Sequence, residues 1–170
     1  PFLLHQVRDL LKEVTDASKR AQCYSDLARA YATVAVHRNE FSLFLDSIRI
    51  AAESPQNLKR KESIRYSIGT GMNSGFCKDL LSIQEFLSRF SDLPEDVQDD
   101  LLGALIDQFL TLETDTSVIS SLLESVCNER PSSISVVVQE LLSKAEHSGE
   151  SRYLAEAVRY LCHLPETGDY

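Results

Sequence analysis

The stretch IGTGMNSGF, residues 68 to 76, decides what kind of fold the chain adopts, because it holds three of the six glycines. A glycine-rich loop that binds a dinucleotide follows a buried strand and opens a helix. Residues 59 to 67 are instead charged and helically spaced, and the pattern Gly-x-Gly-x-x-x-Gly is one residue too long for that fingerprint. We therefore interpret Gly69 and Gly71 as packing positions inside a helix and Gly75 as the residue that ends it.

Apolar residues recur at intervals of three and four along almost the whole chain, as is typical of amphipathic helices, and alternating strand-like runs are missing. Val136-Val137-Val138 could form a strand, but Leu141 and Leu142 extend a helical stripe there. The stripe of the last helix consists of Leu154, Ala157, Val158 and Leu161, and this helix is expected to end at Pro165. The sequence predicts an all-α fold of about nine helices.

A large apolar residue followed at once by a small one recurs along the chain. The instances are Leu27-Ala28, Ile68-Gly69, Leu102-Gly103 and Leu142-Ser143. Between these pairs, Phe41, Leu80 and Ile119 follow one another at intervals of 39 residues. A period of this length indicates an array of helical hairpins, each stacked on its neighbours. Small residues allow a close helix crossing, which explains glycines that otherwise cost a helix about 1 kcal/mol each relative to alanine.

The run Tyr24-x-x-Leu27-Ala28-x-x-Tyr31 resembles the first helix of a tetratricopeptide repeat, and the resemblance extends loosely over residues 20 to 162. A HEAT-like array is a similar alternative, because the period exceeds the usual 34 residues and the second helices lack the usual alanine-rich pattern. The equivalents of Tyr24 also differ, being Arg65, Asp99 and Gln139. The resemblance implies a single helical-repeat domain over residues 1–170, a right-handed superhelix of about four antiparallel helix pairs after an N-terminal helix.

Arrays of this kind bind a peptide or a partner helix in a concave groove formed by their first helices. The resemblance thus implies a non-enzymatic protein–protein interaction module. The partner-binding residues that it implies are Arg29, Tyr66, Asn73, Asp100, Asp107, Gln108 and Lys144. Ser25, Ala32 and Ala104 occupy further positions expected to face the same groove. A solvated face without a partner would have the same polar composition.

The net charge of −9 is unevenly distributed, since residues 90 to 129 contain ten Asp and Glu and no Lys or Arg. We therefore expect Asp100 and Asp107 to bind a basic partner. The basic cluster Lys59, Arg60, Lys61 and Arg65 is interpreted as a solvated helix face, because nucleic-acid binding requires a broader basic surface. We expect neither a nucleic-acid partner nor a membrane partner, since no apolar run approaches about 20 residues.

The four cysteines, Cys23, Cys77, Cys127 and Cys162, are widely spaced and are expected to be buried free thiols in a reducing, cytoplasmic environment. No His-Glu-x-x-His or Gly-x-Ser-x-Gly motif occurs, so we expect no catalytic residue, metal or other cofactor. The alternative is an all-α enzyme or small-ligand-binding domain with a site between helix pairs, near Tyr66, Cys77 or His147. An uncapped end of a longer array would be expected to self-associate.

Overall fold

The computed structural model describes the backbone of residues 2–76, 83–113 and 115–161, and the side chains of 6–76, 85–113, 115–128 and 130–161. These residues form nine α-helices and a short 3₁₀ turn at Pro131–Ser133, without any strand, so the all-α prediction is confirmed over the described ranges. The helices are α1 (Phe2–Leu11), α2 (Ala17–Arg38), α3 (Phe41–Ala52), α4 (Asn57–Asn73), α5 (Ile83–Ser88), α6 (Glu95–Leu112), α7 (Thr116–Glu129), α8 (Ile134–Ser148) and α9 (Ser151–Leu161). They belong to two compact units, Pro1–Lys78 and Asp79–Tyr170, each described below by itself.

In the first unit, α2 is a long helix with a defined start and end. The Asp16 carboxylate accepts hydrogen bonds from the amides of Ser18 (2.9 Å) and Lys19 (3.0 Å), which satisfies donors that have no partner inside the helix. Asn39 ends α2 in the left-handed conformation, with φ of 53°, and α3 begins two residues later. The helix then packs against α1, α3 and α4.

The quoted glycine stretch forms the end of α4, where that helix packs closely on α3. A Cβ atom at Gly71 would lie 2.6 Å from Cζ of Phe44, so no side chain fits there. Gly75 has a φ of 84°, and the Phe76 amide donates to the Gly71 carbonyl (2.9 Å). This left-handed helix end returns the Phe76 ring onto Phe44, with ring centroids 5.5 Å apart. Both predicted roles, close packing and helix end, are confirmed for Gly71 and Gly75.

Small residues line the contacts of α4. Gly69 is buried, as is Ala28 on α2, and the same contacts bury Ser63 and Ser67. The Ser63 hydroxyl donates to the Lys59 carbonyl at 2.7 Å. Arg60 departs from its prediction, since it is 9% exposed rather than solvated. It lies on the inward side of α4, four residues before the buried Ile64.

In the second unit, α6 begins directly after Pro94, whose carbonyl accepts from the amides of Val97 and Gln98 at 3.0 Å. α6 packs against α8 at Gly103, where a Cβ atom would lie 2.8 Å from a carboxylate oxygen of Glu140. The segment 136–138 lies in α8, as the helical interpretation predicted. Gly149, with φ of 71°, ends α8, and α9 begins two residues later and packs back on it.

The fourth apolar-small pair follows the prediction only in its small residue. Where α8 meets Gly103 of α6, it does so through Val136 and Glu140. Ser143 follows these two residues by seven and three positions, so it lies on the same side of α8 and is partly buried. Leu142 lies on the opposite side and is 40% exposed, so the apolar residue of this pair does not pack on α6.

The apolar stripe assigned to the last helix is also wrong. Leu154, Val158 and Leu161 are 50%, 53% and 42% exposed, whereas α9 buries Ala157 and the neighbouring stripe of Tyr153 and Tyr160. The tyrosines bury their rings and still satisfy their hydroxyls, which donate to the carbonyls of Leu110 (3.2 Å) and Ser120 (3.3 Å). The predicted helix end at Pro165 lies outside the described residues, as do Leu80, Cys77 and Cys162.

Candidate interaction surfaces

Two of the predicted partner-binding residues meet on the first unit, across the contact between α2 and α4. The Arg29 guanidinium carbon lies 4.9 Å from the centroid of the Tyr66 ring, which is a cation–π distance. Both side chains are exposed, and Asn73, seven residues after Tyr66 and so on the same side of α4, is exposed as well. We call Arg29, Tyr66 and Asn73 the α2/α4 face.

The remaining predicted residues lie on α6 and α8 of the second unit. Asp100 and Asp107 are seven residues apart and partly exposed, so they lie on one side of α6. The Lys144 ammonium of α8 donates to the hydroxyl of Thr111 (2.8 Å), which is one turn beyond Asp107 on that side. Gln108, also partly exposed, lies next to this side of the helix. We call Asp100, Asp107, Gln108 and Lys144 the α6/α8 face.

Gly103 is the position that lets these two helices approach each other. It lies three residues after Asp100 and four before Asp107, and it faces Glu140 of α8. The carboxyl groups of Asp100, Asp107 and Glu140 are thus placed along one contact by the absence of a side chain at position 103. The α6/α8 face therefore has two carboxylates and one lysine, and Glu140 adds a third carboxylate beside it.

Three positions expected in the groove are buried instead. Ser25 and Ala32 on α2, and Ala104 on α6, are 2% exposed or less. α2 packs on α1, α3 and α4, so its buried surface extends around more of the helix than one stripe. Ser25 and Ala32 belong to that wider surface and cannot contact a partner.

Burial also changes the acid–base properties of the second unit. It raises the pKa of Asp99, and the positive charge of Arg130 partly offsets this effect. Burial raises the pKa of the Cys127 thiol to about 11, so that the thiolate, the reactive form, is scarce at neutral pH. Cys127 is a buried free thiol as predicted, whereas Cys23 is only partly buried.

The residues of the alternative enzyme site show ordinary structural contacts. Tyr66 lies beneath Arg29, and Nδ1 of the exposed His147 lies 2.6 Å from the carbonyl oxygen of Ser143 on its own helix. Among the residues whose positions are described, no group of three or more His, Cys, Asp or Glu is placed to hold a metal ion. The third residue of that site, Cys77, is outside the described part of the chain.

Four large apolar side chains that the sequence predicts to be buried are exposed. They are Leu142 on α8 and Leu154, Val158 and Leu161 on α9. The sequence carries one sign of this, because α9 has a second stripe, through Tyr153 and Tyr160, beside the leucine stripe. Only one of the two could face the interior of the unit.

Within the described ranges, no helix combines the length and the apolar character required to cross a bilayer. Comparison of the chain with protein-family models, with curated proteins and with solved structures finds no match.

Proposed function

We propose that this chain is a non-enzymatic protein-interaction module that binds a peptide or helix of a partner protein along its α2/α4 and α6/α8 faces. The observation that carries the proposal is that α2 packs on α4, and α6 on α8, with exposed polar residues at each contact. In a hairpin array the first helices of successive repeats are neighbours in this way. We extend the proposal to a right-handed, tetratricopeptide-like arrangement of the hairpins.

For the α6/α8 face we propose a basic partner. Asp100 and Asp107 lie on one side of α6, and Glu140 of α8 is directed toward the same helix at Gly103. Complementary charge would increase the rate of association and the specificity more than the affinity. Since Cys127 is a buried free thiol, we further propose that the protein works in a reducing compartment such as the cytoplasm.

The test is a charge reversal on the α6/α8 face, Asp100→Lys combined with Asp107→Lys, in affinity purification from the native host followed by mass spectrometry. We expect the recovery of basic partners to fall at least about tenfold, because like charges now oppose each other across the interface. Recovery from the unchanged protein should also fall as salt is raised.

The matched control reverses two carboxylates elsewhere in the same unit, Glu85→Lys with Asp92→Lys, both of which are exposed. It makes the same change in net charge and should leave partner recovery near that of the unchanged protein. Recovery that is insensitive to salt and unaffected by the Asp100 and Asp107 reversals would refute the role of the α6/α8 face.

A further inference from the structure

The α8–α9 hairpin exposes four large apolar side chains, Leu142, Leu154, Val158 and Leu161. Residues 154, 158 and 161 follow one another at intervals of four and three, so they form a stripe two turns long on one side of α9. We call these four residues the outer α8/α9 face. None of them belongs to the α2/α4 or α6/α8 face.

Helix geometry separates these side chains from the surfaces of α8 and α9 that contact α6. At about 100° per residue, Leu142 is about 160° around α8 from Glu140, which contacts α6. By the same rule, the α9 stripe lies about 80° to 140° around α9 from Tyr153, whose hydroxyl reaches α6. Since α8 and α9 are packed neighbours, all four exposed side chains belong to one helical hairpin of the second unit.

The rim of this surface is acidic. Glu146 is exposed one turn after Leu142 on α8, and Glu150 is exposed at the connection to α9, where it pairs with Arg152 at 2.7 Å. Arg159, the cation on the exposed half of α9, is held between Glu124 (3.7 Å) and Glu156 (3.8 Å). The whole unit carries 18 Asp and Glu against five Lys and Arg, a net charge of −13.

We propose that the outer α8/α9 face binds a basic amphipathic helix of a partner protein. The partner's apolar side chains, at intervals of three and four, would pack on Leu154, Val158 and Leu161. Its Lys and Arg side chains would lie opposite Glu146 and the other carboxylates of the rim. This surface is separate from the two faces proposed above, and either proposal can fail without the other.

Charge favours a basic helix on this surface over a second copy of the chain or an anionic membrane. Pairing the same face of two copies would bring two units of net charge −13 together, which like-charge repulsion disfavours. A membrane surface rich in anionic lipids would repel the rim in the same way. A helix with a basic rim matches both the apolar stripe and the carboxylates around it.

The test measures fluorescence anisotropy of a labelled synthetic peptide of about 18 residues, long enough to form helix in water. Its leucines repeat at intervals of three and four, with Lys and Arg on both flanks. One control peptide has the same composition with its leucines out of register, and another has Glu in place of Lys and Arg. We expect the protein to bind the first peptide at least about tenfold more tightly than either control, and less tightly as salt is raised.

The protein variant that tests the surface combines Leu154→Ser with Val158→Ser and should weaken peptide binding at least about tenfold, because the apolar contact is lost. The matched control combines Leu112→Ser with Val118→Ser, whose side chains are also exposed (52% and 44%) in the same unit. It should bind as the unchanged protein does. Circular dichroism checks that both variants remain folded.

Three results would overturn the proposal. They are equal binding of the Glu-flanked peptide, equal loss in both double-serine variants, and absence of binding to the unchanged protein. Light scattering supplies a fourth criterion: a dimer of the unchanged protein that dissociates on Leu154→Ser with Val158→Ser would assign the surface to a second copy.

Discussion

At Gly71 a single hydrogen atom determines how closely α4 approaches α3. The Phe44 ring that fills this space has little freedom to move, because it packs on Phe41 at 5.7 Å and on Phe76 at 5.5 Å between ring centroids. Phe76 is held in turn by the left-handed conformation of Gly75. Two glycines four residues apart therefore have distinct roles, one in packing and one in chain direction.

The change Gly71→Ala is expected to destabilise the protein by about 1–3 kcal/mol. Alanine favours an exposed helix by about 1 kcal/mol over glycine, but the added methyl group would overlap the Phe44 ring, and overpacking costs more than that gain. Urea denaturation followed by circular dichroism measures the free energy of unfolding.

The adjacent change Thr70→Ala, at a partly exposed position, serves as the control and should alter the stability by less than about 0.5 kcal/mol. A Gly71→Ala protein more stable than the unchanged one would show that the Phe44 ring can move aside.

The buried thiol of Cys127 should make the folded protein less stable at high pH. Burial raises the pKa of its thiol from 9.0 to about 11, so the folded state holds the proton more tightly than the unfolded state. This contribution to stability is complete below pH 9 and disappears as the pH rises through about 11. Cys127→Ala should remove that part of the pH dependence.

The measurement compares urea midpoints of the two proteins between pH 8 and pH 11, within the interval set by the pKa of Cys127. The midpoint of Cys127→Ala should fall less steeply across this interval. Parallel curves for the two proteins would mean that the thiol ionises as easily when folded as when unfolded.

At the scale of helices, α9 shows what periodicity can and cannot predict. Its existence follows from the sequence, but two stripes, Tyr153-Ala157-Tyr160 and Leu154-Val158-Leu161, have the same 3.6-residue period. Hydrophobicity favours the leucines. Packing selects the tyrosines, because their hydroxyls reach backbone carbonyls of α6 and α7, and those acceptors are not visible in the local sequence.

For the predicted site residues too, the sequence predicts the side of the helix but not its burial. Arg29 lies two residues after Leu27 and Tyr66 two residues before Ile68, so the hairpin model places both on the groove side, but it does not predict that the two side chains meet. Ser25 and Ala32 have similar offsets, yet they are buried because α2 packs on three helices. Sequence offsets predict which side of a helix a residue occupies, but the number of neighbouring helices determines whether that side is exposed.

The carboxylate of Asp16, which caps the start of α2, should contribute to the stability of the protein. Asp16→Ala is expected to destabilise the protein by about 1 kcal/mol, because the amides of Ser18 and Lys19 lose their acceptor at the start of α2. Thermal unfolding followed by circular dichroism detects the change.

Glu40, at the equivalent position before α3, makes no side-chain hydrogen bond to the helix. Glu40→Ala should therefore change the stability by less than Asp16→Ala does. Equal losses in the two variants would indicate a general charge effect and would contradict a specific role for the Asp16 cap.

At the scale of the whole molecule, charge separates the two units. Residues 1–78 carry 12 Lys and Arg against eight Asp and Glu, a net charge of +4, whereas residues 79–170 carry −13. Both surfaces for which we propose basic partners lie in the second unit. Its acidic character is therefore shared by the α6/α8 face and the outer α8/α9 face, and added salt should weaken binding at both.

The two shortest helix connections bear on how the chain folds during synthesis. Asn39-Glu40 and Gly149-Glu150 each join two packed helices through only two residues, and each begins with a left-handed residue. Closing so short a loop costs little chain entropy, and contacts between neighbours in sequence form quickly. The α2–α3 hairpin can thus assemble as soon as α3 has left the ribosome, before α4 to α9 are synthesised, whereas the α8–α9 hairpin emerges after α1 to α7.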